Sequence, residues 1–290
     1  MKTVRVGSRD SGLAVIQAQM VIDAIKKYDS NIEVELVTMK TTGDRILDKT
    51  LDKIGGKGLF VKELDEALRN GDVDITVHSY KDMPMEINSE LPVVALSERE
   101  DERDVLILPA NQGDKSKPLG CSSKRRMLQL KALGFDNIEP LRGNVITRLK
   151  KLDDGEYCGI ILAAAGIKRL GLENRISRYF TTEEIMPAAC QGIIAVQTRK
   201  GEDTRYLANF HSERSKIVSD AERAFVAALD GGCSSPVAAY AYFENDKLVL
   251  RGLYVNEEKN IAIKGIEYGR AEDAVKMGIS LAKRLKGEAC

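Results

Sequence analysis

The sequence predicts an α/β protein of two α/β lobes with a smaller α+β domain at the C-terminal end. Three observations carry that expectation. Short apolar runs at Thr3–Gly7, Ile32–Met39, Asp72–His78 and Arg103–Pro109 read as strands, the first three separated by helical patterns. From Lys216 onward the pattern changes to a helix, three strands (Val237–Phe243, Lys247–Val255, Ile261–Tyr268) and a final helix, Ala271–Leu285. At 290 residues the chain is also too long for one typical core, so two or three domains are expected.

The first strand runs into the polar turn Ser8-Arg9-Asp10-Ser11-Gly12, and Leu13, Ile16, Gln17, Met20 and Ile25 follow at helical spacing. Unpaired amides at such a strand-to-helix turn can hold an anion, with Arg9 as a forked donor; a capped helix with a solvated Arg fits equally well. Thr41 to Gly58 is polar and glycine-punctuated, which reads as a lid or a surface loop. Leu59–Arg69 reads as a helix whose apolar face is Phe60, Leu64, Ala67 and Leu68. The strand ending at His78 delivers Ser79-Tyr80-Lys81-Asp82-Met83-Pro84. Ligands of open α/β sheets gather at the carboxyl ends of strands, so Asp82 is either a site carboxylate or half of a turn ion pair with Lys81.

After the charged connector Glu98–Glu102 the theme recurs. Gly120-Cys121-Ser122-Ser123-Lys124-Arg125-Arg126, Arg142-Gly143-Asn144-Val145 through Arg148, and Ala163 through Lys168-Arg169 are further turns ending in Arg. Arg grips carboxylates as a bidentate fork, which a scattered solvated surface does not need. Pro187–Gly192 followed by Ile193–Gln197 reads as a crossing back to the first lobe. A helix over Ser219–Leu229 runs into Gly231-Gly232-Cys233-Ser234-Ser235-Pro236. Glycines just past a helix end close it through a left-handed turn, which puts Cys233 at the tip of a tight loop. That thiol is either accessible or an inert buried cysteine.

Composition is that of an ordinary globular chain, 43% hydrophobic and 30% charged with zero formal net charge. Cys121 to Arg178, however, holds twelve Lys or Arg against six Asp or Glu, which points to a small anionic ligand more than to a long polyanion such as nucleic acid. Met1–Gly7 has no apolar stretch of signal-peptide length and no run is long enough to span a membrane, so a cytoplasmic protein is expected. Five cysteines without a CxxC pair argue for reduced thiols, and two histidines exclude a multi-histidine metal site.

Taken together these stretches resemble the porphobilinogen deaminase (hydroxymethylbilane synthase) family. The match rests on Ser8-Arg9-Asp10-Ser11 with Leu13-Ala14; Gly55-Gly56-Lys57-Gly58-Leu59-Phe60 to Glu63-Leu64; Val77-His78-Ser79 with Lys81-Asp82 and Pro84; Ser122-Ser123 with Arg125-Arg126; Arg142-Gly143-Asn144; Ala163 to Gly171; Gln191-Gly192; and Gly231-Gly232-Cys233 with Pro236. The resemblance implies two periplasmic-binding-protein-like α/β domains, residues 1–97 with 192–209 and residues 98–191, plus an α+β domain over 210–290. It implies a transferase that joins four porphobilinogen units head to tail with release of ammonia, in the cytoplasm and as a monomer. It also implies a dipyrromethane cofactor on a thioether to Cys233, with Asp82 as the catalytic carboxylate. Cofactor contacts would come from Asp82, Ser79, Lys81, Ser123, Arg125, Arg126 and Gly143, and substrate contacts from Arg9, Arg142, Arg148, Arg169 and Gln191. Lys53, Lys57 and Phe60 would belong to a lid.

Physical chemistry suits that reading. Every pyrrole unit carries an acetate and a propionate, and a buried carboxylate without a partner costs several kcal/mol, order of magnitude. Loss of the amino group leaves positive charge on the pyrrole, which an ionised Asp82 would stabilise; as an acid it could also assist the departing amine. A helix C-terminus does not lower a thiol pKa, so Cys233 suits one-time anchoring better than turnover.

The chain departs from the family pattern at Cys121 (commonly Thr), Lys124 (usually apolar), Cys190 (commonly Gly), Ser235 (usually apolar) and Tyr80. Two rival classes are a pure anion-binding module of periplasmic type, which has no use for an appended Gly-Gly-Cys loop, and a cysteine-nucleophile acyltransferase, which needs a base beside Cys233.

Overall fold

A computed structural model describes residues 3–45, 58, 60–110, 113–231, 236–259 and 261–289. Two five-stranded sheets occupy the chain up to Thr198. In the first, β1 (Thr3–Arg9) runs parallel to β2 (Glu33–Met39) and β3 (Ile75–Ser79), whereas β10 (Ile194–Thr198) is antiparallel to β3 and β4 (Val93–Leu96). The second sheet is built from β5 (Asp104–Ile107), β6 (Leu119–Gly120), β7 (Ile138–Glu139), β8 (Gly159–Ala163) and β9 (Arg178–Tyr179). Strand order is β2-β1-β3-β10-β4 in the first sheet and β7-β6-β8-β5-β9 in the second. The chain therefore leaves the first sheet after β4, completes the second, and returns as β10.

Helices cover these sheets with the faces their spacing dictates. α1 (Gly12–Tyr28) buries Ala14, Gln17, Ala18, Val21 and Ile25, a three-and-four stripe. The short α2 (Thr42–Arg45) precedes α3 (Lys62–Asn70), which buries Leu64, Ala67 and Leu68 and stops at Gly71 with φ 77°. This helix starts three residues later than the Leu59 expected from sequence. Residues 46–57, where most of the expected lid falls, lie outside the described residues.

In the second lobe α4 (Lys124–Ala132) and α5 (Val145–Asp153) are each capped by a side chain. Ser123 accepts from the Arg126 amide, and Asn144 from the Thr147 amide at 2.9 Å. Both are the expected polar caps. α6 (Ala164–Arg169) follows β8 directly.

The third sheet, β11 (Ala238–Glu244), β12 (Lys247–Asn256) and β13 (Ile261–Gly269), is an antiparallel meander. α7 (Glu213–Ala228) and α8 (Ala274–Glu288) cover it. The two helices approach closely at Gly278, where a Cβ would lie 2.5 Å from the Ala221 carbonyl oxygen. α7 begins at Glu213 behind the Ser212 cap, earlier than Ser219, because its first turns carry polar residues that periodicity does not register. Tyr80, Met83, Cys190, Ile193, Phe225, Leu229 and Leu281 share one apolar core. The loop after β3 is thereby packed against the helix that leads toward Cys233. That cysteine, with Gly232, Ser234 and Ser235, lies outside the described residues.

Candidate active site

β3 is buried along nearly its whole length, and a strand held on both faces delivers its C-terminal residues rigidly. The next residues, Tyr80–Asp82, form one 3₁₀ turn. Arg9, Gln17, Phe60, Ser79 and Asp82 line a single cleft there. Ser79 Oγ and the Gln17 side-chain amide exchange bonds of 3.0 and 3.2 Å. Arg9 is ion-paired with Asp44, and its guanidinium stacks 4.4 Å above the Phe60 ring. Of the expected lid residues, Phe60 is thus placed beside the site, while Lys53 and Lys57 lie outside the described residues. His78, on the cleft wall, bonds Thr76 Oγ1 at 2.9 Å, and burial pushes it down to about 3, so it is neutral.

The opposing lobe presents two helix N-termini, α4 and α5, whose first-turn amides have no acceptor within their own helix. Ser122 Oγ donates to the Leu141 carbonyl at 2.7 Å and accepts from the Leu141 amide at 2.8 Å, which ties the Ser123 turn to the Arg142 turn. Gly143 has φ 117°, and a Cβ there would meet Thr147 at 2.7 Å, so the turn requires glycine. Its carbonyl accepts from Arg148 Nε at 2.8 Å. Among the described residues no carboxylate pairs with Arg148. Burial, then the nearby Arg126 and Arg142, push it down to about 10.

Arg125 and Arg126 stand differently from Arg148. Both are buried and paired with Asp104, at 2.8 Å from Arg125 Nη1 and 2.6 Å from Arg126 Nη2. Burial alone would raise the Asp104 carboxyl, but the two guanidiniums hold it well below the usual carboxylate range. Gln191, on the crossing back to the first lobe, donates to Asp104 Oδ1 at 2.9 Å and to the Glu102 carbonyl at 2.7 Å, and accepts from Lys81 Nζ at 3.3 Å. Burial pushes Lys81 down to about 8; Asp82 opposes that shift and Arg126 adds to it. Lys81 and Arg148 both feel Asp82 and Arg126. The Lys81-Asp82 turn of the first lobe therefore faces the Arg turns of the second. Arg169 sits at the edge of this group, donating to the Gly192 carbonyl at 2.7 Å.

Spacing had not singled out Asp104, Asp44 or Glu222. Asp104 left one usable signal, a carboxylate heading an apolar strand, which must find partners once buried. Glu222, on α7, is 0% exposed and accepts from Arg99 Nη1 at 2.8 Å, the Cys190 amide at 2.6 Å and the Ala241 amide at 2.7 Å. It joins both crossing segments to the third sheet. One residue later on the same helix, Arg223 donates to the Pro84 and Met85 carbonyls and stacks 4.5 Å above the Tyr80 ring. Cys190 adopts φ 63°, a left-handed conformation that glycine takes without strain and a residue with a Cβ does not. Among the described residues, no cluster of His, Cys, Asp or Glu could hold a metal ion, and no helix is long and apolar enough to cross a membrane.

Residues 4–207 match the family model described as porphobilinogen deaminase, dipyromethane cofactor binding domain. Residues 217–287 match that of the porphobilinogen deaminase C-terminal domain. The chain is 61% identical over 288 residues to porphobilinogen deaminase of Ruminiclostridium josui, covering 99% of this chain and 98% of that one. With porphobilinogen deaminase of Acetivibrio thermocellus it shares 62% identity over 288 residues, 98% of each chain. Among solved structures, the alkanesulfonate-binding protein SsuA from Xanthomonas axonopodis pv. citri bound to MOPS is similar at a TM-score of 0.37 and 12% identity, over 72% of this chain and 68% of that one. Two family models that together span both lobes and the third sheet, with relatives of this identity over nearly the full length, establish that the chain belongs to the porphobilinogen deaminase family of transferases.

Proposed function

We propose that the cleft between the first two lobes joins four porphobilinogen molecules head to tail, with release of ammonia, onto a dipyrromethane anchored by a thioether to Cys233. The observation that carries this reading is a surplus of buried cations over carboxylates: Asp104 is shared by Arg125 and Arg126, and Asp82 acts on both Lys81 and Arg148. Arg148 has no carboxylate partner among the described residues, and Lys81 and Arg148 are each pushed toward neutrality by burial. A site that buries cations beyond its own anions suits an anionic occupant. A dipyrromethane with its acetates and propionates fits that demand. Ser79, Lys81, Ser123, Arg125, Arg126 and Gly143 would hold it; Arg9, Arg142, Arg148, Arg169 and Gln191 would hold the incoming unit. When bound, the cofactor supplies the free pyrrole carbon onto which the chain is extended.

The protein's own contribution is charge and order. Asp82 closes the 3₁₀ turn that directly follows a rigid strand, so its carboxylate is preorganised against positive charge developing on the substrate pyrrole as ammonia leaves. Arg148 and the amides at the start of α4 and α5 orient substrate carboxylates. Phe60 and the stacked Arg9 close one side of the cleft. The proposed division is residues 1–97 with 192–209, residues 98–191, and residues 210–290. The return of β10 to the first sheet and the start of α7 at Glu213 support it. The same proposal takes the protein to act as a cytoplasmic monomer with its cysteines reduced. Asp82→Asn keeps the fold and loses most turnover, at least a hundredfold in kcat; near-normal kcat would remove Asp82 from its role.

A further inference from the structure

Asp104 opens β5 with a carboxylate that is 0% exposed and serves four donors. Oδ2 accepts from Arg125 Nη1 at 2.8 Å, and Oδ1 from Arg126 Nε at 3.0 Å, Arg126 Nη2 at 2.6 Å and Gln191 Nε2 at 2.9 Å. Each guanidinium has a second anchor: Arg125 Nη1 donates to the Met186 carbonyl at 2.6 Å, and Arg126 Nη1 to that of Ile161 at 3.2 Å. The Gln191 amide carries the link onward to Lys81 at 3.3 Å. Three cationic side chains from two lobes are thus referred to one carboxylate that faces no solvent.

We propose that Asp104 is a positioning residue, which sets where Arg125, Arg126 and, through Gln191, Lys81 stand relative to the carboxylates of the dipyrromethane and the growing chain. The inference rests on the reading of those three cations as ligands of that anion. A buried counter-charge would only have to be negative. A positioning group must also have the right length, because both oxygens are fixed by donors on α4 and on the crossing segment. Glutamate separates the two roles: it keeps the charge and both oxygens but moves them by about one carbon–carbon bond, roughly 1.5 Å. Misplacement of that size in supporting groups degrades a preorganised site.

The test compares full-length wild type with Asp104→Glu and Gln191→Met. The readouts are melting temperature, the fraction of polypeptide carrying a two-pyrrole adduct by intact mass, and kcat and KM for porphobilinogen. Asp104→Glu is expected to melt within a few degrees of wild type, yet to lose at least tenfold in adduct fraction or, in the loaded fraction, in kcat/KM, with the change mainly in KM. Wild-type loading and KM in a folded Asp104→Glu protein would reduce Asp104 to a counter-charge and overturn the proposal. Should Asp104→Glu fail to accumulate folded, Gln191→Met decides: it removes one of the four donors to Asp104 together with the branch to Lys81 and the bond to the Glu102 carbonyl, a fall of about fivefold in adduct fraction is expected, and unchanged loading overturns the proposal. Wild-type protein that acquires no adduct even after incubation with porphobilinogen would instead fault the underlying reading of the cations.

Discussion

Glu222→Gln tests how the third domain is held to the crossing segments. Glutamine keeps one acceptor oxygen and replaces the other with an NH₂ group. With its oxygen at the Oε1 position, Arg99 and the Ala241 amide stay served, but the NH₂ then faces the buried Cys190 amide donor to donor. Arg99, 13% exposed at its side chain, also loses its countercharge. Breaking a buried pair costs about 3–5 kcal/mol, and an unpaired buried amide about 1–3 kcal/mol; because the two effects overlap, about 4 kcal/mol is taken. Unfolding entropy of about 2.1 cal/mol/K per residue gives about 0.6 kcal/mol/K for a chain of this length. The melting temperature should therefore fall by about 7 °C if the chain unfolds as one unit. Differential scanning calorimetry on the two purified proteins in one buffer measures it. A fall below about 2 °C would refute the reasoning, because the carboxylate would then be replaceable by a neutral amide.

Two further outcomes follow from backbone strain and from titration. Cys190→Gly relieves a left-handed residue, worth about 1–2 kcal/mol, but loses a buried sulfur and loosens the unfolded chain, so urea unfolding should shift by less than about 1 kcal/mol. Cys190→Val combines a β-branched side chain with that conformation at a site 0% exposed, and should cost more than about 3 kcal/mol; equal stability of the two variants would contradict the assignment of strain. Lys81 is pushed down to about 8 from an ordinary 10.5. Below the lower value both folded and unfolded states hold the proton and the fold bears the whole cost of burying the charge. Between the two values only the unfolded state still holds it, so stability rises with pH through that window. In a Cys233→Ser background, which keeps the anion away, stability should gain about 1–2 kcal/mol more between roughly pH 8 and 9.5 with Lys81 present than in Lys81→Met; identical pH dependence would contradict the burial of this ammonium.

The arrangement was legible wherever one residue type has one physical use. Turns that pair small polar side chains with Arg marked the approaches to α4 and α5, because caps and anion sites draw on the same residues. The strand read over Asp72–His78 was recognisable from Val73, Ile75 and Val77, one residue short of its observed end at Ser79, and with it the position of Asp82 just beyond. Links between distant segments were not legible. Asp104 gathers residues 21, 22 and 87 positions away, and Glu222 bonds a segment 123 positions away; no local pattern encodes such pairings. β4 was missed because four apolar residues are too few to identify a strand by period. The role of Cys190 rests on its φ, which a side-chain pattern cannot express.

The central claim is that Cys233 carries the primer on which the cleft builds its product. Intact mass of the denatured protein, followed by peptide mapping across Gly231 to Pro236, tests it directly. The account predicts a mass excess of two linked pyrrole units, borne by the Cys233 peptide and absent from Cys233→Ser. A bare Cys233 peptide that gains no mass after incubation with porphobilinogen, or an adduct on another residue, would contradict it.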